Sequence, residues 1–279
     1  MSRLIIALDS LKFYKLKNEN TARILFLIVY ILFLGFYAFP IGKPLDIDQI
    51  TKILQGVAIA DFSAIISGNL VFLASQLFLY ILTSFFALVY ANCYVMQSEG
   101  FPSKKAVLSS IRGLPKLIGF MILMLVPVAL SSFFAFIPLI FLFYALFFVP
   151  MLITEGKRGI IEAIVESFKS TKGVRFNIFI TQMMVYFIMN IPITLFGSAF
   201  LYTGNSNTIA EFLVLSFLRA AYVLMGGRLI GNFYLMVIKN EEKIRKVNVD
   251  VSESNSDSED NQDEESEDKK EDGDNNSVS

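Results

Sequence analysis

The chain has 279 residues, of which 54% are hydrophobic and only 18% are charged. Ordinary soluble domains contain about 45–50% apolar residues, so this composition favours a membrane protein. Histidine and tryptophan are absent and Cys93 is the single cysteine, which excludes imidazole-based acid–base catalysis, histidine metal sites and an intramolecular disulfide.

The formal net charge of −1 conceals two blocks of opposite sign. Residues 1–246 carry 22 Lys and Arg against 12 Asp and Glu, a net charge of +10. Residues 247–279 carry 2 Lys against 13 Asp and Glu, a net charge of −11. Because the second block also lacks the apolar side chains needed for a core, we expect it to be disordered. The sequence therefore predicts a transmembrane domain over 1–246 and an acidic tail over 247–279.

Long apolar runs, the last of them interrupted by two arginines, predict the membrane-spanning helices, because a hydrocarbon core about 30 Å thick requires roughly 20 apolar residues per helix. The first run covers 23–39 and is predicted to be retained, since no small-residue cleavage site follows it. Later runs cover 64–96, 117–153, 177–202 and 209–238. The run at 117–153 predicts either a short hairpin that turns near Ser131, between Pro127 and Pro138, or a re-entrant one.

The distribution of Lys and Arg predicts the topology, because cytoplasmic loops carry an excess of these residues. Segments 1–23, 97–116, 154–175 and 239–246 carry five, four, five and four of them, whereas 41–63, 130–136 and 203–211 carry two, none and none. When all basic segments share one side, every apolar block between them crosses the membrane an even number of times. The predicted fold is therefore an all-α polytopic integral membrane protein with about six transmembrane helices and both termini on the cytoplasmic side of a cell membrane.

An internal repeat precedes the predicted hairpins, in the form of a serine, an apolar residue and a basic residue within an amphipathic segment. Its polar members are Ser10 and Lys12, Ser110 and Arg112, and Ser167 and Lys169. An alanine lies three or four residues before each serine, at Ala7, Ala106 and Ala163. The pattern predicts three units, each an interfacial helix followed by a transmembrane hairpin, with the basic residues facing lipid headgroups. The alternative is coincidence, since many juxtamembrane helices are basic and amphipathic.

A more detailed pattern covers residues 145–179. An apolar run there ends at Pro150, Glu155 and Gly156 follow, and the sequence E-A-I-x-x-S of 162–167 precedes a Lys-Gly pair and the next span. This stretch resembles the membrane-domain superfamily that precedes the catalytic barrel in some bacterial glycerophosphoryl diester phosphodiesterases, and that also occurs alone in multi-pass bacterial proteins. The resemblance implies a helical membrane domain without that barrel, because the chain has no histidine for its acid–base chemistry.

Four polar residues within the predicted spans form a candidate intramembrane site: Arg219, Arg228, Asn69 and Asn190. An ionisable side chain at the bilayer centre costs at least about 2.5–3.5 kcal/mol, so such residues usually have a purpose. The two arginines are nine residues apart and point to roughly opposite faces of one helix. We therefore expect separate roles, either structural pairing and snorkelling or contact with a substrate or lipid headgroup.

Other small and polar residues in the spans predict contacts between helices. Asn190 precedes Pro192, and this pair predicts either a broken helix of the kind that lines transport sites or a hydrogen bond from Asn190 to another helix. Asn92 likewise predicts a hydrogen bond between helices. Three glycines in the last run predict close helix packing, because small residues let backbones approach within a membrane. They are Gly226, Gly227 and Gly231.

The sequence favours a non-enzymatic integral membrane protein with an organising, regulatory or partner-binding role. Its expected partner is the lipid bilayer. The acidic tail, which anionic lipid repels, either solubilises the chain without a specific partner, folds back on the basic cytoplasmic helices or binds a cytoplasmic protein. Neither a cofactor nor a nucleic acid is expected. The first alternative is a small transporter or permease component, supported by the repeat and the proline-containing spans. The second is a membrane enzyme acting on lipids, which requires acid–base groups that converge in one cleft.

Overall fold

A computed structural model describes residues 3–38, 70–132, 137–156, 158–202, 208–242 and 244. These residues form helices and no strand, which confirms the all-α class for this part of the chain. Five helices in it are long and apolar enough to cross a membrane: Glu19–Ala38, Ala74–Ser98, Ser103–Val128, Arg175–Phe200 and Ile209–Glu242. A shorter apolar helix covers Pro138–Thr154. The architecture is that of a helical membrane protein.

The chain divides into two units, Met1–Tyr234 and Leu235–Ser279. The helices described in the first unit are α1 (Arg3–Ser10), α2 (Glu19–Ala38), α3 (Leu70–Ser98), α4 (Ser103–Ser132), α5 (Ile137–Ala145), α6 (Val149–Thr154), α7 (Ile160–Ser170), α8 (Arg175–Tyr202) and α9 (Ile209–Tyr234). The second unit begins with a π-helix, Leu235–Lys239, in which Lys239 forms an ion pair with Glu242 at 3.3 Å. The predicted acidic tail, 247–279, lies outside the described residues.

The contact between α3 and α9 is the most extensive in the first unit. It is close because two glycines of α9 face α3. A Cβ added to Gly227 would collide with the carbonyl oxygen of Ala87, and one on Gly231 would lie 2.7 Å from the Tyr94 ring. The predicted close packing is confirmed at these two positions. It is wrong for Gly226, where a Cβ would meet nothing within 4 Å.

The basic segments before residue 176 lie together at one end of the first unit, which we name the basic end. It comprises residues 3–27, 85–120, 144–156, 158–185 and 220–234, and the remaining described parts of this unit form the far end. Contacts across the basic end join distant positions. The amide of Asn18 donates to Oε1 of Gln97 at 3.2 Å, and Oγ of Ser109 donates to the carbonyl oxygen of Thr154 at 2.5 Å.

Two glycines in the left-handed conformation reverse the chain at the basic end. Gly100 (φ 88°) follows α3, and Gly156 (φ 83°) follows α6. Glycine adopts these angles at no steric cost, which is why it commonly ends helices. A glutamate precedes each glycine, so the same Glu-Gly pair ends both apolar segments.

The apolar run 117–153 leaves the basic end and returns to it. α4 carries the chain outward as far as Ser132, and α5 and α6 bring it back until Thr154 lies against α4. A Cβ on Gly113 would lie 3.1 Å from Cα of Thr154, so the returning arm packs directly on α4. The predicted turn near Ser131 lies at the end of α4, and residues 133–136, which follow it, lie outside the described residues.

The three predicted units differ in how their amphipathic segment ends. α1 and α7 are separate helices, as predicted, but the segment 101–116 forms the first turns of α4 instead of an independent helix. The third segment is followed by Gly173, whose φ of 89° interrupts the helix. No described glycine within α4 has a positive φ, and Pro115 is accommodated inside the helix. The prediction of a separate second interfacial helix is therefore corrected.

Candidate functional site

Arg228 lies on the buried side of α9 and binds the N-terminal residues of the chain. Only 6% of the residue is exposed. Its Nε donates to Oδ2 of Asp9 at 3.1 Å. Its Nη1 donates to the carbonyl oxygens of Lys12 at 2.9 Å and Lys15 at 2.7 Å. The sequence was compatible with either an ion pair or a snorkelling side chain for Arg228, and the structure shows the ion pair.

Asn232 and Tyr94 complete this arrangement, which we name the Asp9–Arg228 cluster. Nδ2 of Asn232 donates to the same Oδ2 of Asp9 at 3.1 Å, and the Tyr94 hydroxyl donates to Oδ1 of Asn232 at 2.8 Å. The Arg228 guanidinium lies 4.7 Å from the centroid of the Tyr94 ring, within the range of a cation–π contact. The cluster therefore joins α1, α3 and α9.

The charge of Asp9 is stabilised within the cluster. Burial raises the pKa of Asp9, but hydrogen bonds from Arg228 and Asn232 and the nearby positive charges outweigh burial, so the pKa lies below its ordinary value. One of these charges is Lys12, whose Nζ lies 3.6 Å from Oδ1 of Asp9. The carboxylate and the guanidinium are therefore both ionised at neutral pH, and their hydrogen bonds offset the cost of burying them.

The cluster also satisfies the backbone that follows α1. The carbonyl groups of Lys12 and Lys15 both lie beyond the end of α1 and accept from Arg228. The carbonyl group of Lys12 also accepts from the backbone N–H of Lys15, whereas that of Lys15 has no other donor among the described residues. Between them, the carbonyl oxygen of Phe13 accepts from the Tyr90 hydroxyl of α3. Side chains of α3 and α9 thus fix the course of the chain from α1 into α2.

Arg219 has different surroundings on the same helix. Its side chain is half-buried, and its Nε is buried without a hydrogen-bond partner among the described residues. Oγ of Ser216, one turn earlier, and Oε1 of Gln182 on α8 are also buried without a hydrogen-bond partner among the described residues. The part of α9 before residue 220 and the adjoining α8 therefore contain polar atoms that this part of the chain does not satisfy.

The structure shows fewer contacts for the two asparagines of the candidate site than for its arginines. Asn190 is half-buried on α8, and that helix continues through Pro192 without a break. Within the described ranges no hydrogen bond joins Asn190 to either Arg219 or Arg228. Asn69 lies outside these ranges. The structure thus assigns Arg228 to the Asp9–Arg228 cluster and does not bring the four predicted residues into one bonded site.

The repeat residues share one pattern of burial. The small residues are all fully buried, at 0% exposure: Ser10, Ser110 and Ser167, with Ala7, Ala106 and Ala163. The basic residues are all exposed: Lys12, Arg112 and Lys169. Each serine donates to a backbone carbonyl oxygen at 2.9 Å, that of Ile6, Ala106 or Ala145 respectively. In all three segments, the small residues pack inward and the basic residue points away from the bundle.

Asn92 connects three elements at the basic end. The residue is 1% exposed, and its Nδ2 donates to Oγ of Ser110 at 2.9 Å. The same nitrogen lies 3.1 Å from the carbonyl oxygen of Ala106 on α4 and 3.5 Å from that of Thr154 on α6. The interhelical hydrogen bonding predicted for Asn92 is confirmed.

No protein-family model, curated protein or solved structure matches the chain. The family resemblance of residues 145–179 stays a prediction.

Sequence analysis missed the partners of Arg228. Asp9 is the only acidic residue among the first 18 positions, and an arginine within a span requires a carboxylate or backbone oxygen to bind. That combination is a usable signal for Asp9. Nothing comparable singles out Asn232 or Tyr94, because their roles depend on the face that α9 turns towards α3.

Proposed function

We propose that this chain is a non-enzymatic integral membrane protein with an organising, regulatory or partner-binding role. The observation that carries the proposal is the Asp9–Arg228 cluster. The most deeply buried arginine of the spans is bound by a carboxylate and two carbonyl groups of its own chain, so its charge serves to hold the bundle together. The side chain of the fully buried Asn92 likewise forms hydrogen bonds between helices. The resemblance of residues 145–179 to a non-catalytic membrane domain agrees with this role.

We further propose six crossings of a cell membrane, with both termini in the cytoplasm. The exposed basic residues of the three repeats share the basic end, and positive charge favours the cytoplasmic side. From Ile137 to Thr154 the returning arm measures about 27 Å at 1.5 Å per residue, close to the roughly 30 Å of a hydrocarbon core. This length supports counting α5 and α6 together as one crossing.

Cysteine labelling tests the topology. In a Cys93→Ser background, an impermeant maleimide added to intact cells should label a Tyr202→Cys variant and leave a Lys169→Cys variant unlabelled. Both positions are exposed, so accessibility to solvent does not favour either one. After the cells are permeabilised, both variants should react. Labelling of Lys169→Cys from outside, with Tyr202→Cys protected, contradicts the proposed orientation.

The acidic tail supplies the chemistry for partner binding. Its net charge of −11 over 247–279 suits a basic cytoplasmic protein, because opposite charges steer association. The test compares copurifying proteins for the full chain, a chain lacking 247–279, and a tail of equal length whose Asp and Glu are replaced by Asn and Gln. We expect a partner that is retained only by the full chain. A partner that is retained by all three chains contradicts a role for the tail.

A small transporter or permease component is the second candidate function, and Arg219 favours it. Buried polar atoms without a partner cost free energy. The atoms of Arg219, Ser216 and Gln182 that no described residue pairs are therefore candidate contacts for a polar solute in a membrane. Transport predicts flux of chloride, acetate or phosphate into proteoliposomes above that of empty vesicles, and its loss in Arg219→Ala. Equal flux in Arg219→Ala and in the unmodified protein contradicts this candidate.

A further inference from the structure

A groove runs along the surface of the first unit between α2, α3 and α4. It consists of two cavities of about 880 and 920 Å³. The first lies between all three helices at the basic end, and the second lies between α2 and α3 towards the far end. Ile28 lines both cavities, so the two form one groove that extends from the basic end along the apolar length of α2.

The two ends of this groove differ in chemistry. At the basic end it is bordered by polar and positively charged residues: Lys17, Asn18, Thr21, Gln97, Ser103 and Lys104. Beyond Ile28 every lining residue except Ser75 is apolar, including Leu32, Gly35, Phe36, Ala74, Phe78 and Leu79. No acidic residue is among the described residues that line either cavity. A ligand that fits carries negative charge at one end and hydrocarbon at the other.

The dimensions of the groove suit a lipid acyl chain. Along α2, the groove extends from Thr21 to Phe36, which corresponds to about 22 Å at 1.5 Å per residue. One leaflet of the hydrocarbon core is about 15 Å thick, half of roughly 30 Å. An acyl chain can therefore lie along the groove while its headgroup stays at the charged end.

We propose that this groove binds one anionic phospholipid. Its phosphate lies between the exposed lysines Lys17 and Lys104, near the N-terminus of α4, and one acyl chain lies along α2 and α3 past Gly35. The positive charge at the entrance distinguishes the groove from the uncharged apolar surface that any transmembrane helix presents to bulk lipid. The proposal requires a membrane location but not the organising role, so either can fail without the other.

Gly35 provides a way to fill the groove without disturbing the bundle. It lines the apolar cavity, and a Cβ added there would meet nothing within 4 Å. A leucine at this position therefore projects into the space assigned to the acyl chain. Gly197 on α8 offers a matched control, because a Cβ there also meets nothing within 4 Å and the residue does not line the groove.

Native mass spectrometry of the full chain in detergent tests both ends of the site. With equal amounts of phosphatidylglycerol and phosphatidylcholine, we expect one phosphatidylglycerol to be retained per chain. A Lys17→Gln/Lys104→Gln double variant should lower this retention roughly tenfold or more, because each lysine near an anionic lipid contributes appreciably to its binding. Gly35→Leu should lower retention of both lipids, since it blocks the tail rather than the headgroup.

Two control variants separate the site from general effects. Lys116→Gln/Lys172→Gln removes two exposed lysines that do not line the groove, and Gly197→Leu adds the same side chain elsewhere; both should retain phosphatidylglycerol as the unmodified chain does. The proposal is overturned if the controls reduce retention as much as the groove variants, or if phosphatidylcholine is retained equally well. Ala74→Phe provides a second way to block the groove if Gly35→Leu lowers the yield of folded protein.

Photocrosslinking identifies the occupant directly. Phosphatidylglycerol with a photoreactive group on its acyl chain should crosslink to peptides that contain residues 28–36 and 71–79 in the unmodified protein. These crosslinks should disappear in Gly35→Leu and persist in Gly197→Leu. A uniform distribution of crosslinks over all spans would mean that the groove holds only bulk lipid and would overturn the proposal.

Discussion

The two halves of α9 each contain one arginine, and the surroundings of the two arginines differ. Arg228 is almost fully buried, and it donates to the carboxylate of Asp9 and to two carbonyl groups. Arg219 is half-buried and its Nε has no partner within the described part of the chain. From hydropathy alone, both arginines are charged residues within a membrane span, and nothing distinguishes one from the other. Their contacts separate a structural role at the basic end from a candidate ligand contact towards the far end.

α3 shows the same contrast along its length. From Val89 to Gln97 all but one residue is buried, whereas the large apolar residues Leu77, Phe78 and Tyr80 of its first half are exposed. Burial, hydrogen bonds and glycine contacts therefore concentrate at the basic end. The far end presents apolar surface that suits lipid. Specific packing of this bundle therefore depends mainly on the end where the basic segments meet.

The largest expected effect comes from removing Arg228. Arg228→Met leaves Asp9 without its main ionic partner and the carbonyl group of Lys15 without its described donor, so we expect a loss of about 3 kcal/mol in the free energy of unfolding. Unfolding in mixed micelles by denaturing detergent measures it. Arg219→Met removes an Nε donor that has no partner among the described residues, and we expect a change below about 1 kcal/mol. Equal losses for the two variants would remove the distinction between the halves of α9.

Substitution of adjacent glycines gives the next largest difference. Gly227→Ala forces its Cβ against the backbone of Ala87, and overpacking of this kind typically costs about 1–3 kcal/mol. Gly226→Ala meets open space, so we expect it to be neutral or to stabilise the helix by up to about 1 kcal/mol. The same unfolding assay compares the two. A larger cost at Gly226 than at Gly227 would contradict the assigned packing of α3 against α9.

Asn92 and Asn190 provide a comparison of smaller size. Asn92→Ala removes hydrogen bonds that connect α3 with α4, and interhelical bonds in membranes contribute about 0.6 kcal/mol on average, with a maximum near 1.7. We expect a loss of about 1 kcal/mol, measured by unfolding in micelles. Asn190→Ala should cost less than about 0.5 kcal/mol, since no described hydrogen bond depends on that side chain. The opposite order would indicate that the far end is the more specifically bonded one.

Features that depend on neighbouring residues in the sequence were predictable. Apolar runs locate α2, α8 and α9 within several residues, because a helix that crosses a membrane must be apolar over most of its length. They do not locate the start of α4, which includes the amphipathic segment before its run. The close packing at Gly227 and Gly231 and the bonding of Asn92 also follow from residue type, since only small or hydrogen-bonding residues serve these contacts within a membrane.

Features that depend on tertiary contacts were not predictable to the same degree. Asp9 and Arg228 are 219 positions apart. No local sequence pattern indicates which acidic residue forms an ion pair with a given arginine. Gly226 and Gly227 differ by one position, or about 100° around the helix, which decides whether the residue faces α3. The continuation of α4 through Pro115 depends on neighbours that compensate for the missing backbone hydrogen bond. Each of these outcomes is set by the arrangement of helices rather than by a local pattern.

The smallest expected effect is the pH dependence of the Asp9–Arg228 cluster. Because the pKa of Asp9 in the folded chain lies below its ordinary value, the unfolded chain binds the proton more readily, and the stabilisation from this carboxylate increases with pH. It is fully present above the ordinary value of about 3.9 and is lost as the pH falls through the lower pKa of the folded chain. Thermal unfolding should therefore show the unmodified chain to be more stable than Asp9→Asn at pH 7, with the difference decreasing as the pH falls below about 3.9. In an Arg228→Met background, Asp9→Asn should have a smaller effect and little dependence on pH. A difference that stays constant from pH 7 to pH 3 would mean that Asp9 acts at the basic end through its shape and hydrogen bonds, and that its charge contributes nothing to the contrast with the far end.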